Sequence, residues 1–203
     1  VKTKSENIEL LSNNIVLATG ARAREIKGLE ADGNAIWTYR DALTPKRMPK
    51  KLLVIGSGAI GIEFSSFYNA MGADTTIIEV LDRILPNEDK EIADLAKTQF
   101  LKQGMKIFEK SHVVKLTKGK KNLSVEIETD GKISKLSFDT IISAVGIVGN
   151  VENLGLDEIG IEIKNSHVLV DEFCKTNVEG VFAIGDLAGA PWLAHKASHE
   201  GNM

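Results

Sequence analysis

The chain has 203 residues, 43% hydrophobic and 26% charged, the balance of a globular protein with enough material for a real core. Its 25 Lys+Arg against 28 Asp+Glu leave a net charge of −3, which speaks against wholesale nucleic-acid binding, and no apolar run reaches the roughly 20 residues of a membrane helix. One cysteine excludes an intrachain dithiol, a disulfide framework and a cysteine-rich zinc cluster, so the 18 glycines become the informative feature.

In chain order, Val1-Lys2-Thr3-Lys4 lacks the apolar segment of a signal peptide, and a cytoplasmic location is expected. Ile15-Val16-Leu17-Ala18, closed by Thr19-Gly20, predicts a short buried strand. Residues 28–50, broken by Gly28, Gly33, Pro45 and Pro49, predict a loop or linker with a short helix near Asp41. Leu52-Leu53-Val54-Ile55 predicts a buried parallel strand that runs into Gly56-Ser57-Gly58-Ala59-Ile60-Gly61. Ile60, Phe64, Phe67, Tyr68 and Met71 then recur at helical spacing, and Gly72 marks the helix end. Thr75-Thr76-Ile77-Ile78 predicts the next strand, ending on Glu79, which completes a βαβ unit.

Residues 88–103 predict a helix with Ile92, Leu95, Ala96 and Phe100 on one stripe, an acidic first turn and Gly104 behind it. Residues 105–138 predict an antiparallel meander with a hairpin turn at Asp130-Gly131. Lys118-Gly119-Lys120-Lys121 is expected to be a solvated turn. Further strands are predicted at Ile141–Val145, Val168–Val170 and Val181–Ile184, the last running into Gly185-Asp186. The chain ends in residues that resemble the first turns of a helix, and both ends suggest a piece of a longer protein.

The chemistry is concentrated in the glycines. A lone GxGxxG match is weak, but here it follows a strand, opens a helix and precedes a second strand ending in an acid, with Glu79 lying 18 residues after Gly61. Gly56 suits the tight turn, Gly58 a close approach of a pyrophosphate, and Gly61 close helix–strand packing. The helix start presents free N–H groups to phosphate, and a carboxylate at Glu79 accepts ribose hydroxyls and repels a 2′-phosphate, which favours NAD over NADP. The bland alternative is a structural glycine turn beside a solvated glutamate.

Thr19-Gly20-Ala21 and Gly185-Asp186 each close a strand, where ligands of α/β folds bind, and Asp186 suits either a sugar hydroxyl or a helix cap. Glu63 is either a functional carboxylate near the ligand crevice or an ordinary helix-surface residue. His195 and His199 share a helical face without a third metal ligand, His112 and His167 are expected to be structural, and Cys174 is an unpaired thiol.

These pieces, in this order, resemble the two-dinucleotide-binding flavoprotein disulfide reductases. The resemblance rests on Ala18-Thr19-Gly20-Ala21, Val54 through Phe64, Glu79 through Pro86, Val181 through Asp186, and Leu193 through Gly201. The last stretch is closest to the dihydrolipoamide dehydrogenase branch. The resemblance implies an α/β architecture: a Rossmann-like three-layer NAD-binding domain with an antiparallel meander at residues 46–147. FAD-domain segments at 1–45 and 148–203 would flank it.

It further implies that Thr19, Gly20 and Ala21 lie along FAD. Gly56, Ser57, Gly58, Ala59, Ile60, Gly61, Glu79, Val113 and Gly146 would contact NAD. Asp186 would hold the FAD ribitol, with Trp192, Leu193, Ala194 and His195 under the flavin and Glu63 at the flavin–nicotinamide junction. The implied whole enzyme is a homodimer that oxidises dihydrolipoamide on 2-oxo acid dehydrogenase complexes, with the redox cysteine pair before residue 1 and the dimerisation domain after residue 203. Sister activities on the same scaffold, an NADH oxidase or a transhydrogenase, and a non-catalytic dinucleotide-binding module are the alternatives. One segment departs from the family's Ala-x-Gly-Arg-x-Pro-Asn pattern: in Ala144 to Asn150, Ile147 stands for the Arg and Gly149 for the Pro.

Overall fold

The computed structural model describes residue 6 and residues 8–120 and 122–203, so the opening Val1-Lys2-Thr3-Lys4 and Lys121 of the basic turn lie outside the described residues. In chain order the elements are β1 (Ile15–Leu17), β2 (Ala21–Ala23), β3 (Ile36–Trp37), α1 (Tyr39–Leu43), β4 (Lys51–Ile55), α2 (Ala59–Ala70) and β5 (Asp74–Ile78). They continue with α3 (Lys90–Lys102), β6 (Lys106–Phe108), β7 (Ser111–Lys118), β8 (Leu123–Thr129), β9 (Lys132–Phe138) and β10 (Thr140–Ser143). After these come β11 (Ile147–Gly149), β12 (Ile163–Lys164), β13 (His167–Val168), β14 (Val181–Ala183), a 3-10 turn at Gly185–Ala188 and α4 (Ala194–Glu200).

The chain forms two compact units, one of residues up to Arg22 together with Ile147–Met203, the other Ala23–Gly146. The central unit begins well before residue 46 because β3, read from sequence as loop, pairs in parallel with β10 and completes the sheet edge. A two-residue strand carries no periodicity, so only its partner reveals it.

In the central unit a five-stranded parallel sheet runs in the order β3-β10-β4-β5-β6. Strand alternation sorts its side chains onto two faces. Leu53, Ile55, Ile78 and Ile141 face the meander β7-β8-β9 and pack on Leu123, Val125, Ile127 and Phe138. Leu52, Val54 and Ile142 face the helices and pack on Trp37, Ala42 and Tyr68, while Ile77 joins Ile62, Ile84 and Met105. The result is three layers: helices, parallel sheet, antiparallel meander. Asp130 and Gly131 both take positive φ, as the two-residue turn between β8 and β9 requires.

Two helical stripes differ from the sequence reading. On α2 the buried face is Gly61, Ile62, Ser65 and Tyr68, and Phe67 and Met71 point outward. On α3 only Ala93 is buried, Phe100 packs against the Ile62, Ile77, Ile84 and Met105 cluster, and Ile92 and Leu95 are 55% and 58% exposed. Helix α2 approaches the glycine turn through Gly61 and packs Tyr68 and part of Phe64 on the sheet, so of the predicted stripe these two face inward while Phe67 and Met71 do not.

In the other unit β1 pairs in parallel with β14, and Leu156, Ile161, Val168, Val181, Ala183 and Leu187 form a separate core. Strand β1 is not buried: Ile15 and Val16 are 51% and 57% exposed, because β14 is its one strand neighbour among the described residues. The Asn165-Ser166 turn between β12 and β13 has positive φ at both residues.

Candidate functional site

The order β3-β10-β4-β5-β6 places a switch point between β4 and β10. From β4 the chain moves outward through β5 and β6, then returns across the meander to lay β10 on the other flank of β4. Open α/β sheets bind ligands in the crevice at the carboxyl ends of the strands at such a point. Gly56 follows β4 directly, with φ of 95°, and its N–H donates to the Ile78 carbonyl at 2.9 Å. A Cβ there would lie 2.4 Å from the Ala144 carbonyl oxygen, just past the end of β10. Gly61 brings α2 against the same turn, since a Cβ would lie 2.0 Å from the Gly56 carbonyl oxygen. Only glycine fits either position.

Gly58 is different. Nothing lies within 4 Å of where its Cβ would be, and it caps α2 without a side chain. The first N–H groups of α2, around Ala59 and Ile60, therefore have no intrahelical acceptor and no cap, and they carry the positive end of the helix dipole. Such an open, donor-rich helix start has the chemistry that binds phosphate groups.

Glu79, at the end of β5, is 6% exposed, and three protein donors hold its carboxylate. Oε2 accepts the Ser57 N–H at 2.9 Å and the Ser57 hydroxyl at 2.5 Å, and Oε1 accepts the Leu81 N–H at 3.0 Å. Its backbone is paired too, donating to the Phe108 carbonyl and accepting from the Ser111 N–H, both at 2.8 Å. The motif identifies the carboxylate but gives no sign that it also pins the glycine turn. Val113 lies half-buried in β7, beside a register shift in the meander. Gly146, with φ of 101°, is exposed and accepts the Arg24 N–H at 2.9 Å. Glu63 is exposed on α2 and pairs with no described residue.

The second unit gathers the other candidates. Asn150 ties down the Thr19-Gly20 turn: its side chain donates to the Thr19 carbonyl at 2.9 Å, its N–H to the Gly20 carbonyl at 2.9 Å, and the Thr19 hydroxyl donates back to the Asn150 carbonyl at 2.8 Å. Ala21 is half-buried, and Arg22 beside it makes a two-pronged ion pair with Glu152 and donates to the Asn150 side chain. Asp186 is half-buried in the 3-10 turn, and its carboxylate has no hydrogen-bond partner among the described residues. That leaves it free to accept ligand hydroxyls. Trp192, Leu193, Ala194 and His195 are all exposed along the entry to α4.

Three residues matter here that sequence reasoning did not place. Glu200 accepts the Gly185 N–H at 2.7 Å and pairs with Lys196 at 2.7 Å, so α4 braces the turn that carries Asp186. His167 bonds through Nδ1 to the Asp186 carbonyl at 3.1 Å, and its ring lies 5.8 Å from that of Trp192. The Glu200–Lys196 pair has a readable i, i+4 spacing, but its target does not. His199 lies on α4 with His195, and no group of three potential metal ligands occurs among the described residues. Burial pushes the Cys174 thiol up, away from thiolate reactivity.

The departure at Gly149 has a structural account: a Cβ there would sit 2.3 Å from the Ser166 carbonyl oxygen. Nothing in the structure explains Ile147.

The chain is 51% identical over 191 residues to the dihydrolipoyl dehydrogenase of Rhizobium etli, covering 94% of this chain and 40% of that protein. It is 50% identical over 200 residues to that of Zymomonas mobilis, covering 98% of this chain and 43% of that one. The crystal structure of LpdA from Mycobacterium tuberculosis superposes with a TM-score of 0.84 at 30% identity, over 93% of this chain and 40% of that one. The chain thus spans about two fifths of the length of these relatives. A sequence profile matches residues 1–201, with the glycine turn, Glu79 and the Asp186 turn all inside it, and the chain belongs to the pyridine nucleotide-disulphide oxidoreductase family.

Proposed function

We propose that the protein is an NAD-dependent dihydrolipoyl dehydrogenase in which the central unit, residues 23–146, holds NAD and the segments before residue 23 and after residue 146 contribute to the FAD site. The observation that carries the nucleotide reading is the glycine turn at the β4/β10 switch point, open at Gly58 and flanked by the fixed carboxylate of Glu79. The family and the identity to dihydrolipoyl dehydrogenases support lipoamide as the substrate class and a homodimeric enzyme.

The N–H groups from Gly58 to Gly61 would bind the pyrophosphate, and Glu79 would accept an adenosine ribose hydroxyl. Val113 and Gly146 would line the nucleotide crevice. On the FAD side, Thr19 to Ala21 would lie along the cofactor, Asp186 would hold the ribitol, and Trp192 to His195 would run under the ring system. When bound, the two cofactors supply hydride exchange; the protein groups bind and orient them. Glu63, exposed and unpartnered among the described residues, suits a charge placed at their junction.

Titration calorimetry of the 203-residue chain with NADH tests the nucleotide site. Binding is expected at up to millimolar ligand, and no heat would count against it. Glu79→Arg should move preference toward NADPH by about tenfold or more, since a repelling carboxylate becomes an attracting guanidinium. Unchanged selectivity would remove Glu79 from the site.

A further inference from the structure

We propose that Ser57 is a specificity-determining residue, whose hydroxyl fixes the Glu79 carboxylate in place and so keeps a 2′-phosphorylated dinucleotide out. This rests on the NAD reading of the glycine turn. Within GxGxxG, Ser57 is the first variable position, and its side chain is fully buried. Its N–H and its hydroxyl both donate to Oε2 of Glu79, at 2.9 and 2.5 Å. The Leu81 N–H holds Oε1 at 3.0 Å.

A carboxylate offers about four acceptor positions. Three are taken by protein donors, so roughly one remains for the ligand, enough for one ribose hydroxyl. All three donors are neutral, and no cation pairs with Glu79 among the described residues. The carboxylate is thus held still without its charge being cancelled, the arrangement that best rejects a second anion. A freely rotating glutamate could swing away and admit a 2′-phosphate. With bonds on both oxygens this one cannot, and the shortest of them comes from the Ser57 hydroxyl.

Removing that hydroxyl leaves Oε2 with a single N–H. Ser57→Ala deletes only the oxygen and adds no bulk, so folding is little disturbed. The test is a double-mutant cycle with Glu79→Gln, reading the ratio of NADPH to NADH dissociation constants by calorimetry on one sample of each variant. A partly unfolded sample lowers the active fraction for both ligands alike and leaves the ratio unmoved.

In the wild-type background Ser57→Ala should narrow the ratio by about tenfold, the equivalent of one hydrogen bond to a charged group. In the Glu79→Gln background it should leave the ratio unchanged, because the hydroxyl then has no charge to hold. A selective wild type with an unchanged ratio in Ser57→Ala overturns the proposal and leaves the NAD site standing. Equal narrowing in both backgrounds also overturns it, since Ser57 would then act without Glu79. No NADH binding by the wild type would instead overturn the NAD reading beneath it.

Discussion

Gly58 and Gly61 lie three positions apart in one motif and carry opposite constraints. A methyl at Gly61 collides with the Gly56 backbone, whereas one at Gly58 enters open space. Gly61→Ala should therefore cost about 1–3 kcal/mol of stability, the usual penalty for overpacking against a backbone that cannot yield. Gly58→Ala should leave the melting temperature within a few degrees of wild type and weaken NADH binding by crowding the phosphate approach. Thermal denaturation and calorimetry on both variants check this; equal stability losses would mean the turn is structural throughout. Both roles can be read from the sequence, because GxGxxG after a strand and before a helix has a fixed meaning. The bond from Ser57 to Glu79 cannot, since it joins residues 22 apart that only the β4–β5 pairing brings together.

At the level of elements, the strands β4, β5 and β10 were legible because buried parallel strands read as continuous apolar runs. The helix stripes are legible only in part: Tyr68 packs on the sheet as its spacing predicts, but the small Gly61 and Ser65 share that face, and apolar spacing gives no sign of them. The ends of the strands opposite the glycine turn carry a different device. Asp139, between β9 and β10, accepts the N–H groups of Lys50 and Lys51 at 3.0 and 2.9 Å and pairs with Arg47 at 3.3 Å. Burial alone would raise its pKa. The hydrogen bonds from Lys51, Thr140, Lys50 and Arg47 outweigh that and hold the carboxyl below its ordinary value.

A depressed folded-state value means that this stabilisation is complete above the unfolded pKa of about 3.9 and is lost as pH falls below it. Asp139→Asn should lower stability by about 1–2 kcal/mol at neutral pH and flatten the acid limb of the stability profile. NADH affinity should not change, as Asp139 lies at the far end of the sheet from Gly56. Denaturant titrations between pH 3 and 7 would show it, and an unaltered acid limb would assign the acid sensitivity to other carboxylates.

Over the whole molecule, the two units differ in how completely each buries its own strands. The central unit encloses β4, β5 and β10 between helices and meander, while β1 in the other leaves Ile15 and Val16 half open. The 203 residues hold one thiol, Cys174, which is buried and shifted away from reactivity. Thiol–disulfide exchange needs an accessible thiolate and a partner sulfur. The purified 203-residue chain should therefore show no lipoamide-dependent NADH oxidation above the buffer rate, even with FAD added. Measurable turnover would mean the chemistry does not use a dithiol.

Gly149 ties its own identity to the shape of a turn 16 residues away. Its missing Cβ leaves room for the Ser166 carbonyl, presented by a turn whose two residues both take positive φ, and for the imidazole of His167, whose Nδ1 would lie 3.2 Å from that Cβ. The same nitrogen bonds the Asp186 carbonyl. A proline at this position, as in the family pattern, would press on the hairpin and on the His167 that bonds Asp186, so that residue and the present turn exclude one another. A larger residue is therefore compatible with position 149 only together with a change in the 165–166 turn, so the two sites form one unit.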